Sequence, residues 1–181
     1  MIFHPLDLAG AFLLEPERLE DKRGFFARTY CRRELEERDL DPTVVQCSVS
    51  VNKLRGTVRG MHWQAPPFEE IKLVRCTAGA IHDALLDLRP DSATFLQSTA
   101  VELSRENRHA VYVPAGIAHG FQTLEDDSEV FYQMSEFHHP EAARGVRWDD
   151  PAFSIRWPLP IAMISERDSS YPDLEPASLS S

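Results

Sequence analysis

Three observations predict an all-β chain, folded as a sandwich or barrel of the jelly-roll kind with a few short peripheral helices. Apolar and polar residues alternate with a period of two, the alternating runs are short and evenly spaced, and Gly, Pro and Asp fill the gaps. The runs are VVQCSVSV (44–51), IKLVRCT (71–77), AIHDALLDL (80–88), TFLQSTAVEL (94–103), HAVYVP (109–114) and EVFYQMSEF (129–137). Turn chemistry separates them in TAGA, LRPDSA, SREN, PAGI and LEDDSE. One polar stretch, CRRELEERDL (31–40), carries a helical pattern and predicts a short surface helix. After Trp157 the chain is rich in Pro and Ser and is expected to coil over the surface, with residues 173–181 forming a frayed tail.

Composition bounds the function. The 181 residues are most simply a single domain, 1–181, large enough to bury a substantial core. A formal net charge of −10 argues against nucleic acid as a partner. An anionic ligand would need a local cluster of cations. Three cysteines, Cys31, Cys47 and Cys76, are too few and too scattered for a disulfide framework, and each is expected to be a small buried residue in a reducing compartment. The segment MIFHPLDLAG lacks the basic and apolar regions of a signal peptide, and no apolar run approaches a membrane span. A cytoplasmic protein with no membrane partner is expected.

Residues two apart on a strand share a face. Lys72 therefore lies with Val74 and Cys76, Tyr132 with Val130 and Met134, and His62 in VRGMHWQ with Val58, Gly60 and Gln64. Singly, each has an ordinary structural reading: a hydrogen-bonded core histidine, a lysine at a rim, a packed tyrosine, and for Asp168 in SERDSSYP a loop aspartate. Lysine is nevertheless rarely buried without a task or a partner. If the three strand faces converge, they surround an apolar cavity with proton-handling groups, the usual anatomy of a small-molecule site.

The segment PAGIAHGF (114–121) has the spacing P-x-G-x-x-H found in the second half of the cupin barrel signature, with His119 expected to point inward. Metal-binding cupins add an H-x-H pair and a glutamate; here that pair reads His62-Trp63-Gln64, with Glu69 or Glu70 downstream. One imidazole ligand is replaced by a carboxamide, so a cavity without a metal is the preferred expectation over a metal-dependent cupin.

Over most of residues 21 to 172 the chain resembles the dTDP-4-dehydrorhamnose 3,5-epimerases, the deoxysugar epimerases of the cupin class. The matching segments are DKRGFF (21–26), VRGMHWQ (58–64), KLVRCTAGAI (72–81), LLDLRPDSATF (85–95), VELSRENRHAVYVPAGIAHGF (101–121), EVFYQ (129–133), WDDPAFSIRWP (148–158) and SERD (165–168), in the family's order. The resemblance implies a cupin-type antiparallel jelly roll, a homodimer with residues 1–30 crossing to the partner subunit, and no cofactor. It implies a nucleotide-diphospho-4-keto-6-deoxyhexose as substrate. His62 would be the base, oriented by Asp168; Lys72 would stabilise the C4 oxyanion; Tyr132 would return the proton from the other face. Arg23, contributed across the dimer, and Arg59 would meet the diphosphate. Phe26, Gln46, Ser48 and His119 would complete substrate binding, with Asp83 and Gln64 behind them. Arg59 stands three residues from His62, so a bulge at Gly60 is needed to bring both to one face.

Two positions depart from the family pattern: Arg28 stands where a glutamate is usual, and Ser48 where an asparagine is usual. A guanidinium cannot accept the hydrogen bonds that a carboxylate accepts. The alternatives retained are a C5- or C3-only epimerase on a CDP- or GDP-linked sugar, a non-catalytic sugar-binding cupin, and a metal-dependent cupin.

Overall fold

In a computed structural model, which describes residues 1–175, alternating side chains segregate into an interior and an exterior as the period-two pattern requires. The strands are β1 (Ile2–Pro5), β2 (Phe12–Glu15), β3 (Arg18–Asp21) and β4 (Gly24–Ala27), followed by the helix α1 (Arg32–Glu36). Then come β5 (Gln46–Asn52), β6 (Val58–Gln64), β7 (Lys72–Ala78), β8 (Ala80–Asp87), β9 (Ser98–Ser104), β10 (Ala110–Val113), β11 (Ile117–Thr123), β12 (Ser128–Met134) and β13 (Ala143–Gly145). A single-turn helix, α2 (Glu166–Ser169), follows.

The strands form a six-stranded sheet in the order β1-β2-β10-β7-β12-β5 and a five-stranded sheet in the order β13-β6-β11-β8-β9. All the pairings within both sheets are antiparallel. Val74, Cys76, Val111, Val113 and Val130 of the first sheet pack on Ile81, Leu85, Leu103, Ile117 and Phe121 of the second. This is the expected jelly roll. Leu8 and Ala11, in the turn between β1 and β2, join the same core. Leu35 of α1 covers part of the outer face of the six-stranded sheet with Leu14, Leu73 and Tyr112.

Several elements differ from the sequence reading. Strands β1 and β2 and the hairpin β3–β4 were not expected, because each strand has only four residues; those of β1, β3 and β4 are mostly exposed, and β2 buries only Leu14. With one buried side chain among the four strands there is little alternation to read. Strand β9 begins at Ser98 rather than Thr94, because Leu96 adopts a φ of 61° and residues 94–97 turn around the buried Asp87 carboxylate. Of the three cysteines only Cys76 is buried; Cys47 is exposed on the edge strand β5. The expected frayed tail is fixed at its start, where Asp173 pairs with Arg147 at 2.6 Å and Leu174 packs against the core cluster that contains Met61, Leu86 and Phe153. Residues 176–181 of that tail lie outside the described residues.

The segment after Trp157 does run over the surface, but it is strapped down. Gln122 holds Leu159 by two hydrogen bonds, Nε2 to the Leu159 carbonyl at 2.9 Å and Oε1 from its N–H at 3.0 Å. Ala162 N–H donates to the Gly56 carbonyl, and Val58 N–H to the Met163 carbonyl. Gly56 has a φ of +82°, and a Cβ there would fall 2.9 Å from the Pro160 carbonyl oxygen. The close passage of the strap therefore requires glycine. At the end of this path α2 arrives beside β6.

Candidate active site

The core fills only part of the space between the sheets. Beyond it opens a cavity of about 640 Å³, within the range of small-molecule sites. Strand β6 brings His62 to its wall and β11 brings His119, opposite one another in register. From the facing sheet β7 brings Lys72 and β12 brings Tyr132. The predicted convergence is therefore present: imidazole groups on one wall, ammonium and phenol on the other.

Arg59 also lines the cavity, although it stands three residues from His62. The register between β6 and β11 jumps from His62↔His119 to Arg59↔Phe121, so Gly60 and Met61 together face the single residue Gly120. That is a bulge of the expected kind, and it returns Arg59 to the inner face. Gly60 has a φ of +118°, and a Cβ on it would meet the Gly120 Cα at 2.5 Å. Glycine is required for both reasons. Arg59 Nε donates to Asn52 Oδ1 at 2.7 Å, which fixes the guanidinium on the cavity side rather than in a surface ion pair.

The strap delivers Asp168. Ser165 caps α2 by accepting the Asp168 N–H at 3.0 Å. Asp168 Oδ1 lies 2.7 Å from His62 Nε2, and Oδ2 accepts the Gly60 N–H at 3.2 Å. Burial pushes the Asp168 pKa up, but the His62 hydrogen bond and charge, the Gly60 N–H and Ser165 together hold it below the usual carboxylate value. An ionised carboxylate only accepts, so His62 Nε2 carries a proton and Nδ1 is the basic atom of the ring. A second pair stands alongside: His119 Nε2 is 2.8 Å from Asp83 Oδ2, both side chains almost fully buried. The His119 ring meets the Tyr132 ring edge-on at 5.9 Å.

Burial raises the Tyr132 pKa far above its ordinary value; the Asp83 charge adds to this and Arg59 opposes it. The phenol accordingly keeps its proton across the physiological range. Lys72, 8% exposed, is not isolated. Its Nζ pairs with Glu70 Oε1 at 2.8 Å and donates to the His62 carbonyl at 3.3 Å.

Gln46 and Ser48 line the cavity from β5, where they pair with Met134 and Tyr132. Gln64 has its amide committed to backbone: Nε2 donates to the carbonyls of Phe68 and Phe137, each at 3.0 Å, and Oε1 accepts the His139 N–H at 2.6 Å. Asp83 stands behind His119. Of the residues at the cupin metal positions, Gln64 is thus committed to loop backbone and Glu70 to Lys72.

Arg23 and Phe26 do not reach this cavity within the chain. They belong to the β3–β4 hairpin, where Arg23 pairs with Asp21 at 2.5 Å and Phe26 is 73% exposed. Arg28 is also remote, paired with Glu34 of α1 at 2.7 Å. Sequence reasoning gave no role to Arg144 and Arg167, two further cations that line the cavity, nor to His138. For Arg167 the signal was its place next to Asp168 in SERD; Arg144 and His138 stand in segments without strand periodicity.

The family model described as dTDP-4-dehydrorhamnose 3,5-epimerase matches residues 5–176. A dTDP-4-dehydrorhamnose 3,5-epimerase of Sinorhizobium fredii is 41% identical over 175 residues, 96% of this chain and 90% of the relative. The crystal structure of a dTDP-4-dehydrorhamnose 3,5-epimerase from Elizabethkingia anophelis superimposes with a TM-score of 0.93 at 35% identity, covering 96% of each chain. One from Bacillus anthracis, solved with TDP and PPi bound, gives 0.92 at 37% identity, covering 96% of this chain and 99% of the other. By sequence and by fold, the chain belongs to the dTDP-4-dehydrorhamnose 3,5-epimerase family.

Proposed function

We infer that the protein is an isomerase that epimerises the sugar of dTDP-4-dehydro-6-deoxyglucose at C3 and C5, the two carbons flanking the C4 ketone. The observation that carries this reading is the placement of His62–Asp168 on one cavity wall with Lys72 and Tyr132 on the other. Family membership supplies the substrate class.

A C–H bond next to a ketone is weakly acidic because its electron pair can move into the carbonyl. His62 Nδ1 takes the proton; the C–H pair becomes a C=C bond and the carbonyl oxygen becomes an oxyanion. Lys72 meets that oxyanion with a fixed positive charge in a largely water-free wall, where a cation is worth more than in solution. Tyr132 then gives its proton to the carbon from the opposite side, and the ketone reforms with inverted configuration. Solvent returns a proton to the phenol and takes the one held by His62, so both groups are reset for the second carbon. The two carbons share one carbonyl, so one set of groups serves both. With solvent as the proton donor and acceptor each step balances, and no cofactor takes part in this scheme.

Arg59, Arg144 and Arg167 put positive charge at a cavity on a chain of net charge −10, which suits a diphosphate. Gln46, Ser48 and His119 supply further polar contacts. The exposed hairpin carrying Arg23 and Phe26, and the apolar outer face of edge strand β5 with Val49 and Val51 exposed at 54% and 57%, support a homodimer in which the hairpin completes a neighbouring site. Among the described residues no helix is long and apolar enough to cross a membrane. The proposed site of action is the cytoplasm, with the nucleotide sugar as the small-molecule partner.

Incubation with dTDP-4-dehydro-6-deoxyglucose in D2O, followed by NMR, tests the reading. Deuterium is expected at both C3 and C5. No incorporation from dTDP-, CDP- or GDP-linked 4-keto sugars would eliminate it, and incorporation at one carbon alone would reduce it to a single-centre epimerase.

A further inference from the structure

We propose that Glu70 is the positioning residue for Lys72, fixing the ammonium so that one N–H points to the ketone oxygen before charge develops there. The proposal rests on the epimerase reading above and deepens it.

Glu70 lies two residues before Lys72, at the entry to β7. In extended chain, residues two apart share a face, so the carboxylate stands on the cavity side with the ammonium. The backbone between them is pinned to the end of β12. Ile71 N–H donates to Ser135 Oγ at 2.8 Å, and the Ile71 carbonyl accepts the Ser135 N–H at 3.0 Å. Glu70 Oε1 is 2.8 Å from Lys72 Nζ, and each side chain is 10% exposed.

A lysine ammonium has three N–H donors on a flexible stem and rotates freely unless held. Here one donor is taken by Glu70 and a second by the His62 carbonyl at 3.3 Å. Two anchors fix the direction of the third, which faces a cavity lined by Lys72 itself. The His62 contact also ties the ammonium to the strand that carries the base. The position of the charge and the position of the base are thus set relative to one another through a single nitrogen.

The carboxylate has a second effect. An ammonium in a buried wall carries a large desolvation cost unless a counter-charge stands close. Glu70 offsets that cost in the resting site, and the oxyanion is a second anion that arrives only along the reaction path. An interaction made with the transition state and absent from the ground state speeds the chemical step without tightening substrate binding. Loss of Glu70 is therefore expected in kcat and not in KM.

A role limited to packing or charge compensation would show itself in stability and affinity instead. The distinguishing experiment uses the full-length protein as wild type, Glu70→Gln, Glu70→Ala, Lys72→Ala and the double variant Glu70→Gln/Lys72→Ala. Deuterium exchange at C3 and at C5 of dTDP-4-dehydro-6-deoxyglucose is followed by NMR, dTDP affinity by calorimetry, and folding by thermal melting. Glu70→Gln is expected to slow exchange about 10- to 100-fold, by the same factor at both carbons, because both enolates share one oxygen. Glu70→Ala is expected to be slower still. The dTDP Kd stays within about 3-fold, and Glu70→Gln adds no further loss in the Lys72→Ala background, since its effect passes through that ammonium.

Wild-type exchange rates in Glu70→Gln would overturn the proposal. So would unequal losses at the two carbons, a loss explained by weaker dTDP binding, or a full additional loss on top of Lys72→Ala. An absence of exchange in the wild type with every carrier would instead overturn the epimerase reading, and this proposal with it.

Discussion

Asp168 Oδ1 lies 2.7 Å from His62 Nε2 across 106 residues of chain, and the carboxylate is held from a second side by the Gly60 N–H. The contact joins the middle of a central strand to a strap that reaches it only after crossing Gln122 and Gly56. The orientation of the His62 ring thus depends on how well that strap is seated.

Asp168→Asn is expected to lower kcat by about 10²- to 10⁴-fold with little change in dTDP affinity. The amide preserves shape and can present N–H to the ring, favouring the tautomer with its lone pair on the wrong nitrogen. Steady-state kinetics together with calorimetry of dTDP binding checks this; equal losses in rate and affinity would contradict it.

Tyr132→Phe separates proton removal from inversion. His62 remains able to take and return a proton on its own side, so deuterium wash-in with retained configuration is expected to persist. Epimer formation falls by about 10²-fold or more. NMR of the sugar protons distinguishes the two events, and parallel loss of both would show that the phenol is needed for enolate formation itself.

Gly60→Ala is expected to destabilise the fold by about 1–3 kcal/mol, since alanine neither favours the positive φ nor fits against Gly120. A lowered melting midpoint should accompany weaker nucleotide-sugar binding, because collapse of the bulge turns Arg59 away from His62. Unchanged melting would argue that the bulge relaxes freely.

Acid stability should carry the signature of Asp87. Burial raises its pKa, while Arg89, Ser92 and Thr94 lower it by more, to about 2. A folded pKa below the unfolded value of 3.8 gives stability that is complete above roughly pH 4–5. That stability is lost as pH falls toward 2. The fully buried side chain supports a contribution of about 2 kcal/mol, and Asp87→Asn should remove it along with that part of the pH dependence. Denaturant melts at pH 7 and pH 3 would measure both.

What the sequence made legible follows from where burial is one-sided. The alternation in IKLVRCT assigned Lys72, Val74 and Cys76 to the interior, and the structure puts Lys72 on the cavity wall and the other two in the core. The same argument separated Arg59 from His62, and only the glycine between them signalled that the register breaks. The hairpin at 18–27 was invisible as strand because its side chains are exposed on both faces. Strand β11 was hidden by Gly120 in its centre, a residue that weakens a strand pattern but is needed where Met61 Sδ would stand 2.6 Å from a Cβ. Glu70 was noticed only as a stand-in metal ligand. Its pairing with Lys72 depends on side-chain distance, which spacing alone does not reveal.

The strap gives the protein a temporal property as well as a spatial one. During synthesis every strand of both sheets leaves the ribosome before Asp168 does, so a barrel can assemble around a pocket whose histidine still lacks its carboxylate. The carboxylate arrives last, on the segment that also ties down the rim. Any change that loosened the strap would move Asp168 away from His62 without breaking a strand pair of either sheet.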